Sequence, residues 1–359
     1  MPGSGVWPFS ADVAHALLPA SEARPETFHN DPMTLWPLLL LPAVASAAGT
    51  IVFDTDCGFF GDDGSALVMV LRSPEKVQVA AVTVVSGNVW AAESAGYLTE
   101  ILGLLGHPEI HPYVGAQLPL IHSADMARLE APLQFQGAFA NPPKLVPPGQ
   151  PAALDALAAA IQQHPGQITI LALGPMTNIA MLLRLHPDLE LKIRRIVFMG
   201  GNVHVPGNAS AAAEFNFWFD PEAAQAVLRS RIPEKIMFPL DICNRAVLNK
   251  ARFDEIVAAK TPVTERYKDD YGLRYPGFLK NPNATAFLWD ELAAAWLLDI
   301  GFVTKAETTW LDIDTHFGKT YGATVPLDRR LAPAATPVQV KLDLDFPRFW
   351  NLYKRLLTQ

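Results

Sequence analysis

The sequence predicts an α/β fold in which a mostly parallel central sheet is covered by helices on both faces. From Thr50 onward, short β-branched apolar runs alternate with amphipathic segments. The runs are continuously apolar, as expected for parallel strands that are buried on both faces. Hydrophobic residues make up 50% of the 359 positions, which is enough for the core of a single large domain.

Five apolar runs are predicted strands, and six segments with helix-forming residues at three- and four-residue spacing are predicted helices. The predicted strands are residues 50–54, 77–86, 168–173, 195–201 and 235–241. The predicted helices are residues 65–72, 91–105, 154–163, 178–185, 221–230 and 287–298. Because strand, loop and helix succeed one another, we expect a Rossmann-like sheet whose ligand lies beyond the carboxyl ends of the strands.

The N-terminal segment differs from the rest of the chain. Residues 1–32 are rich in Pro, Ser and Ala, which predicts a disordered leader. Residues 33–48 contain an apolar stretch that is too short to span a bilayer, followed by small residues that fit a signal-peptidase site. We therefore expect a signal peptide, a secreted or periplasmic protein, and one domain over residues 49–359. The alternative is an apolar extension of a cytoplasmic protein, since no Lys or Arg precedes the apolar run after Met33.

The charge balance restricts the class of partner. The chain has 28 Lys and Arg against 36 Asp and Glu, a net charge of −8. Nucleic-acid binding needs a basic surface, so we expect a small-molecule ligand, no nucleic acid and no stable membrane association. Cys57 and Cys243 cannot form a disulfide framework, and buried small thiols are the expected state of both.

An acidic, glycine-rich segment follows the first predicted strand. It places four carboxylates within ten residues, at a strand exit and a helix entry: Asp54, Asp56, Asp62 and Asp63. These charges would repel one another strongly without a cation among them. Oxygen-only ligands favour a hard cation, Ca²⁺ or Mg²⁺. Capping of the following helix by one or two of the acids is the alternative.

This segment, Asp-Thr-Asp-x-Gly-x-x-x-Asp-Asp before an apolar helix, resembles the signature of the nucleoside hydrolases, the inosine-uridine-preferring N-ribohydrolases. Other segments are similar to the family in the same order. They are residues 171–180, 198–201, 208 with 213–224, 239–242, 289–290 and 314–325. The resemblance covers nearly all of residues 50–330. It implies hydrolysis of the N-glycosidic bond of ribonucleosides to free base and ribose.

The resemblance also implies a site. Ca²⁺ would be held by the carboxylates of Asp56, Asp63 and Asp290 and by the main-chain carbonyl of Leu173. The sugar-binding residues would be Asp62, Asn88, Asn208, Glu214 and Asn216. From the residues alone, loop shaping is the alternative for Asn208. Relatives are commonly homodimers or homotetramers, which is the expectation here.

The expected chemistry follows from these residues. Breaking an N-glycosidic bond develops positive charge on the sugar ring, which nearby carboxylates stabilise. Asp56 is the expected general base toward a cation-bound water. Trp289 stands before Asp290, where some relatives have His, and this resembles the purine-preferring branch, in which aromatic rings stack on the base. Further candidates for stacking are Phe135, Phe139, Tyr267, Tyr271 and Tyr275.

Two other functions are consistent with the sequence. One is an exported nucleoside- or sugar-binding protein without turnover, because fold and function separate readily. The other is a haloacid-dehalogenase-type phosphatase, with Asp54 as nucleophile and Asp56 as acid/base. Such enzymes place their acidic metal pair far downstream, whereas Asp62 and Asp63 lie in the same loop as the first acids.

Overall fold

The computed structural model describes residues 49–129, 136–142 and 152–359. The expected leader and signal peptide, residues 1–48, lie outside the described residues, as does Phe135. Within the three described ranges, we find no helix with both the length and the apolar character that a membrane crossing requires.

The strands and helices alternate over most of the described chain. The strands are β1 Gly49–Thr55, β2 Val77–Val84, β3 Pro112–Val114, β4 Thr169–Ala172, β5 Arg195–Met199, β6 Glu234–Phe238, β7 Val247–Asn249, β8 Thr285–Phe287, β9 Val303–Thr309, β10 Leu311–Ile313, β11 Thr324–Pro326 and β12 Val338–Leu344. The helices are α1 Ser65–Leu71, α2 Ala91–Leu104, α3 Ala124–Leu129, α4 Ala153–Gln163, α5 Thr177–Leu185, α6 Phe215–Phe219, α7 Pro221–Leu228, α8 Leu240–Cys243, α9 Lys250–Val257, α10 Pro262–Arg274, α11 Asp290–Leu298 and α12 Phe346–Thr358.

A sheet of eight strands forms the centre of the domain, in the order β3-β2-β1-β4-β5-β6-β12-β9. Neighbouring strands are parallel, except that β9 runs antiparallel to β12 at one edge. The strand order reverses between β1 and β4, and in such sheets the ligand crevice lies at this switch point. The predicted α/β fold with a mostly parallel sheet is confirmed.

The sheet is buried on both faces, as its continuously apolar strands require. In β1, Ile51 and Phe53 pack in one core with α1, α2, α11 and α12. Val52, between them, packs on the opposite face with α4, α5 and α7. Cys57 and Cys243 are both buried, free thiols.

The region before α11 differs from the prediction. A helix was expected over residues 287–298, but Thr285–Phe287 forms β8, which pairs with β7, and the helix starts at Asp290. The apolar residues that suggested an earlier helix start belong instead to this short strand and to Trp289. As a result, Trp289 lies at the helix entry and not within its first turn.

Candidate active site

The site begins at the carboxyl ends of β1 and β4, the two strands at the switch point. Their backbones pair directly, with Asp54 opposite Ala172, and the amide of Leu173 donates to the carbonyl oxygen of Asp54 at 2.8 Å. Asp56 immediately follows β1, and Leu173 immediately follows β4. The backbone pairing therefore fixes two of the predicted ligand positions side by side.

Three carboxylates converge at this edge of the sheet. One oxygen from each of Asp62, Asp63 and Asp290 lies within 4.8 Å of the other two. The amide of Asp290, at the start of α11, donates to Asp62 Oδ1 at 3.2 Å. The hydroxyl of Thr55 donates to Asp63. Asp62, predicted as a sugar ligand, is thus also close enough to share a cation with Asp63 and Asp290.

Asp56 is confined by backbone on two sides. Its Oδ2 accepts a hydrogen bond from the amide of Asn88 at 2.6 Å. A Cβ at Gly87 would clash with this same oxygen, and a Cβ at Gly174 would lie 2.9 Å from the carboxyl. Only glycine at these two positions lets the loops after β2 and β4 close around Asp56.

The electrostatics of the cluster favour protonation in the absence of a cation. Burial raises the pKa of Asp63 to about 7, with a further contribution from the charge of Asp62. Burial, followed by the charge of Asp63, raises the pKa of Asp56 well above its usual range. Burial, followed by the charges of the neighbouring acids, also raises the pKa of Asp290 well above its usual range. These carboxyls can be ionised together only if a positive charge lies among them.

The donor set fits a divalent cation. Asp56 Oδ1 and Asp63 Oδ2 are buried and lack a hydrogen-bond partner among the described residues. Buried carboxylate oxygens without partners are costly, and coordination to a metal removes that cost. The converging oxygens of Asp62, Asp63 and Asp290 form an oxygen-only group of the kind that Ca²⁺ and Mg²⁺ prefer. Asp56 lies outside that group of converging oxygens, although its charge acts on Asp290.

Asn216 and Glu214 connect the cluster to the loop before α6. The Asn216 amide nitrogen donates to the carbonyl oxygens of Leu173 (2.8 Å) and Met199 (3.2 Å). The Glu214 carboxylate accepts from the amides of Gly201, Asn216 and Phe217, so it caps α6. Burial raises the pKa of Glu214 to about 7.

Asn208 makes a hydrogen bond within its own loop, as in the alternative role of loop shaping. Its Oδ1 accepts from the amide of Phe215 at 2.9 Å. Asn202, which the sequence interpretation did not single out, holds the same loop by donating to the carbonyls of Val205 and Ala212. Its only sequence signal is its place directly after Gly201 at a strand exit.

A cavity of about 330 Å³ opens over the carboxylates. Polar residues and acids of the predicted site form part of its wall, and aromatic residues form another part. The lining residues are Phe59, Asp62, Asn88, Leu173, Met199, Asn208, Glu214, Phe215, Asn216, Arg274, Tyr275, Trp289 and Asp290. Every predicted sugar-binding residue and Trp289 therefore meet in one cavity.

The other predicted stacking aromatics divide into two groups. Tyr275 lines the cavity. Tyr267 and Tyr271 are fully buried and pack against Phe253, and Phe139 stacks on Phe219 in a separate apolar cluster. These three rings support the walls and do not line the cavity. Phe59, Phe215 and Arg274 were missed, because nothing in their local sequence distinguishes them from core or surface residues.

Asp54 is unsuited to act as a nucleophile. It is completely buried, and its Oδ2 accepts from Thr83 (2.6 Å) and Asn178 (2.7 Å). Burial raises its pKa to about 7. A phosphatase of the haloacid-dehalogenase type requires this residue to reach substrate, so the structure opposes that alternative.

The sequence model of the inosine-uridine preferring nucleoside hydrolases matches residues 51–351. The chain belongs to this family. It is therefore a hydrolase that acts on N-glycosyl compounds, and the binding-protein and phosphatase alternatives are set aside. Its nucleoside hydrolase fold and the acidic cluster agree with the family's use of a metal ion.

Named relatives of this nucleoside hydrolase differ in base preference. It is 34% identical to the pyrimidine-specific ribonucleoside hydrolase RihA of Citrobacter koseri, over 84% of this chain and 96% of that protein. Among solved structures, it is similar to an inosine-guanosine nucleoside hydrolase (TM-score 0.71, 25% identity, 86% and 98% coverage). It is also similar to a purine-preferring ribonucleoside hydrolase from Gardnerella vaginalis (TM-score 0.68, 25% identity, 86% and 98% coverage).

Proposed function

We propose that this nucleoside hydrolase depends on Ca²⁺ and cleaves purine ribonucleosides in preference to pyrimidine ribonucleosides. One observation carries the proposal: Asp62 and Asp290, which cluster with Asp63, line a cavity that aromatic residues also line, and the buried carboxylates of Asp56 and Asp63 have partnerless oxygens. The acidic part suits a cation and a polyol, and the aromatic part suits a flat base.

The cation would be held by Asp56, Asp63, Asp290 and the carbonyl of Leu173, with Asp62 close enough to contribute. All are oxygen donors, which favours a hard cation such as Ca²⁺. When bound, the cation would engage ribose hydroxyls and lower the pKa of a water molecule beside the sugar.

Asp56 acts as the general base in this proposal. Its Oδ2 is fixed by the Asn88 amide, and its Oδ1 is the oxygen without a protein partner. The water proton would pass to this carboxylate as the water oxygen bonds to the anomeric carbon. A rigidly held carboxylate needs no reorganisation during the step, which is the main advantage of such a site.

The remaining polar residues orient the sugar. The three hydrogen bonds of the Asn216 side chain all use its amide nitrogen, which leaves the amide oxygen to accept from a ribose hydroxyl. Asp62, Asn88, Asn208 and Glu214 line the same cavity and supply further acceptors and donors for the sugar.

The aromatic wall supports the purine preference. Trp289, Phe59, Phe215 and Tyr275 all line the cavity. A purine presents a larger ring face than a pyrimidine and would gain more from stacking on such residues. The pyrimidine-specific name of the RihA relatives points the other way, and the preference is therefore the part of the proposal that most needs measurement.

The test measures ribose release from inosine, guanosine, adenosine, uridine and cytidine, with the protein stripped of metal and then supplied with Ca²⁺, Mg²⁺ or Zn²⁺. We expect turnover to require added metal, to be highest with Ca²⁺, and to be faster for purines. Activity that survives complete chelation would contradict the metal role, and faster pyrimidine cleavage would contradict the base preference.

Two variants test the residue roles. Asp56→Ala should abolish ribose release while the protein stays folded, whereas Asp125→Ala, an exposed acid paired with Arg128, should not change it. Trp289→Ala should slow purine nucleosides more than p-nitrophenyl riboside, whose leaving group is already a stable anion and does not need to stack on the tryptophan. Equal losses on both substrates would argue against stacking.

A further inference from the structure

Arg274 is the only positively charged residue among the described residues that line the cavity. The same described lining contains no His, Lys or Cys, and the proposed function gives its three carboxyls, Asp62, Glu214 and Asp290, to the sugar and the cation. Arg274 is therefore the residue of this lining whose charge suits an interaction with a departing base.

Arg274 lies on the aromatic side of the cavity. It is the last residue of α10, and its guanidinium carbon lies 5.7 Å from the centre of the Phe59 ring. Phe59 in turn packs edge-on against Tyr275, with 5.6 Å between ring centres. Arg274, Tyr275 and Trp289 also line a second cavity, together with residues between 276 and 287. These three residues therefore lie between the two cavities. A base that stacks on Trp289 would lie in a cavity that Arg274 also lines.

The guanidinium is also close to the acidic end of the cavity. Arg274 and Asp62 line the same cavity, and the positive charge of Arg274 acts on the carboxylate of Asp62. Its charge thus acts between the sugar-binding carboxylates and the aromatic wall. This is the region in which the glycosidic nitrogen must lie if the ribose contacts Asp62.

We propose that Arg274 is a catalytic residue that stabilises the departing base by hydrogen bonding to its developing negative charge. This inference rests on the proposed function. The bond between the anomeric carbon and the base nitrogen breaks, and its electron pair stays on the base. The water oxygen bonds to the anomeric carbon, and the water proton goes to Asp56. The base takes a proton from solvent after it leaves, because an arginine side chain does not give one up.

The donor pattern of arginine adds a selectivity. The guanidinium has five N–H donors and no acceptor, and its fork fits two adjacent acceptors such as O6 and N7 of a 6-oxopurine. Adenine offers N7 but presents an amino donor where the oxopurine has O6. Arg274 should therefore favour bases with a carbonyl oxygen over their amino counterparts. The same contrast separates uracil, with O4, from cytosine, with its 4-amino group.

The experiment compares Arg274→Met and Arg274→Lys with wild type in the presence of metal. The matched control is Lys268→Met, which also removes one positive charge from α10 but at a half-exposed residue paired with Glu265. Substrates are inosine, adenosine, uridine, cytidine and p-nitrophenyl riboside. Thermal unfolding of each protein shows that it is folded, and the lysine variant, which keeps the charge, provides a second reading if the methionine variant is unstable.

For Arg274→Met we expect kcat/KM on inosine to fall by about 100-fold, the size of effect seen when one charge-stabilising donor is removed. The loss on adenosine should be about tenfold or less, because adenine can accept only one of the two hydrogen bonds that the guanidinium offers. The loss on p-nitrophenyl riboside should be below about threefold, since nitrophenolate is already a stable anion. Arg274→Lys should fall between wild type and Arg274→Met, and Lys268→Met should match wild type.

Equal losses on all five substrates would overturn the proposal, because they would indicate a general effect on the cavity. So would a loss of less than threefold on inosine and uridine. The rates of the wild-type enzyme on purine and pyrimidine nucleosides test the proposed base preference independently of the Arg274 variants. If the enzyme prefers pyrimidines, the purine preference fails, and the uridine–cytidine pair still decides the role of Arg274.

Discussion

Replacement of Gly87 by alanine should disable Asp56 without touching the carboxylate itself. A Cβ at Gly87 would clash with Asp56 Oδ2 and lie 2.8 Å from its Cγ, whereas ordinary contact begins at 3.4 Å. The carboxyl carbon must therefore retreat by at least the difference, 0.6 Å, and the nearer oxygen by more. That oxygen is the one that accepts the Asn88 amide, so the movement also breaks the bond that orients the carboxylate.

A displacement of roughly 1 Å in a catalytic group costs about 100-fold in rate, and we expect at least that loss in kcat for Gly87→Ala. Gly87 does not have a positive φ, so alanine introduces no backbone strain there. The assay is ribose release from inosine at saturating Ca²⁺, with thermal unfolding measured in parallel.

Gly96→Ala is the matched control for this substitution. Gly96 lies in α2, and a Cβ there would meet nothing within 4 Å. It should leave activity unchanged and stabilise the helix by about 0.5–1 kcal/mol. If Gly87→Ala retains more than a tenth of wild-type activity while folded, the claim that Asp56 must keep its position is wrong.

Three further predictions concern the metal, the loop before α6 and the response to acid. Chelation should lower the midpoint of thermal unfolding, and Ca²⁺ at about 100 times its dissociation constant should restore about 2.7 kcal/mol, as measured by calorimetry; an unchanged midpoint would contradict the site. Asn216→Ala leaves the carbonyls of Leu173 and Met199 without their donor, so urea titration should show a loss of about 1–3 kcal/mol. Burial lowers the pKa of His122 to about 4, so the unfolded chain binds more protons between pH 4 and 6.5. The free energy of unfolding should thus fall as the pH drops through that window, by up to about 3 kcal/mol, and His122→Asn should remove this part of the pH dependence.

The central strands could be predicted because burial on both faces leaves a plain sequence pattern. The five predicted runs correspond to β1, β2, β4, β5 and β6. The strands β12 and β9 at one edge of the sheet were not predicted, because they lack this pattern. In β12 apolar and polar residues alternate, and β9 is largely exposed, so neither forms a continuous apolar run. The helices α9, α10 and α12 were missed as well.

The acidic side of the site was predictable because its residues are close together in sequence or follow strand ends. Asp56, Asp63 and Leu173 sit where a parallel sheet places its ligands. The aromatic side was not, since it depends on packing between distant segments. The amide of Phe60 donates to Asp270 of α10, a contact across 210 residues, and such contacts bring Arg274 and Tyr275 to the cavity. No local pattern encodes that arrangement.

The two sides of the cavity are built with unequal rigidity. Asp56 and the Leu173 carbonyl extend from adjacent central strands, whose backbone bonds set their spacing. Arg274 and Tyr275 lie at the end of α10, and a loop with the short strand β8 separates them from Trp289. Structure at such helix ends and loops opens more easily than a central sheet. On warming, we therefore expect the enzyme to lose discrimination among bases before it loses the capacity to break the bond, so that a heated sample becomes a less selective catalyst before it becomes an inactive one.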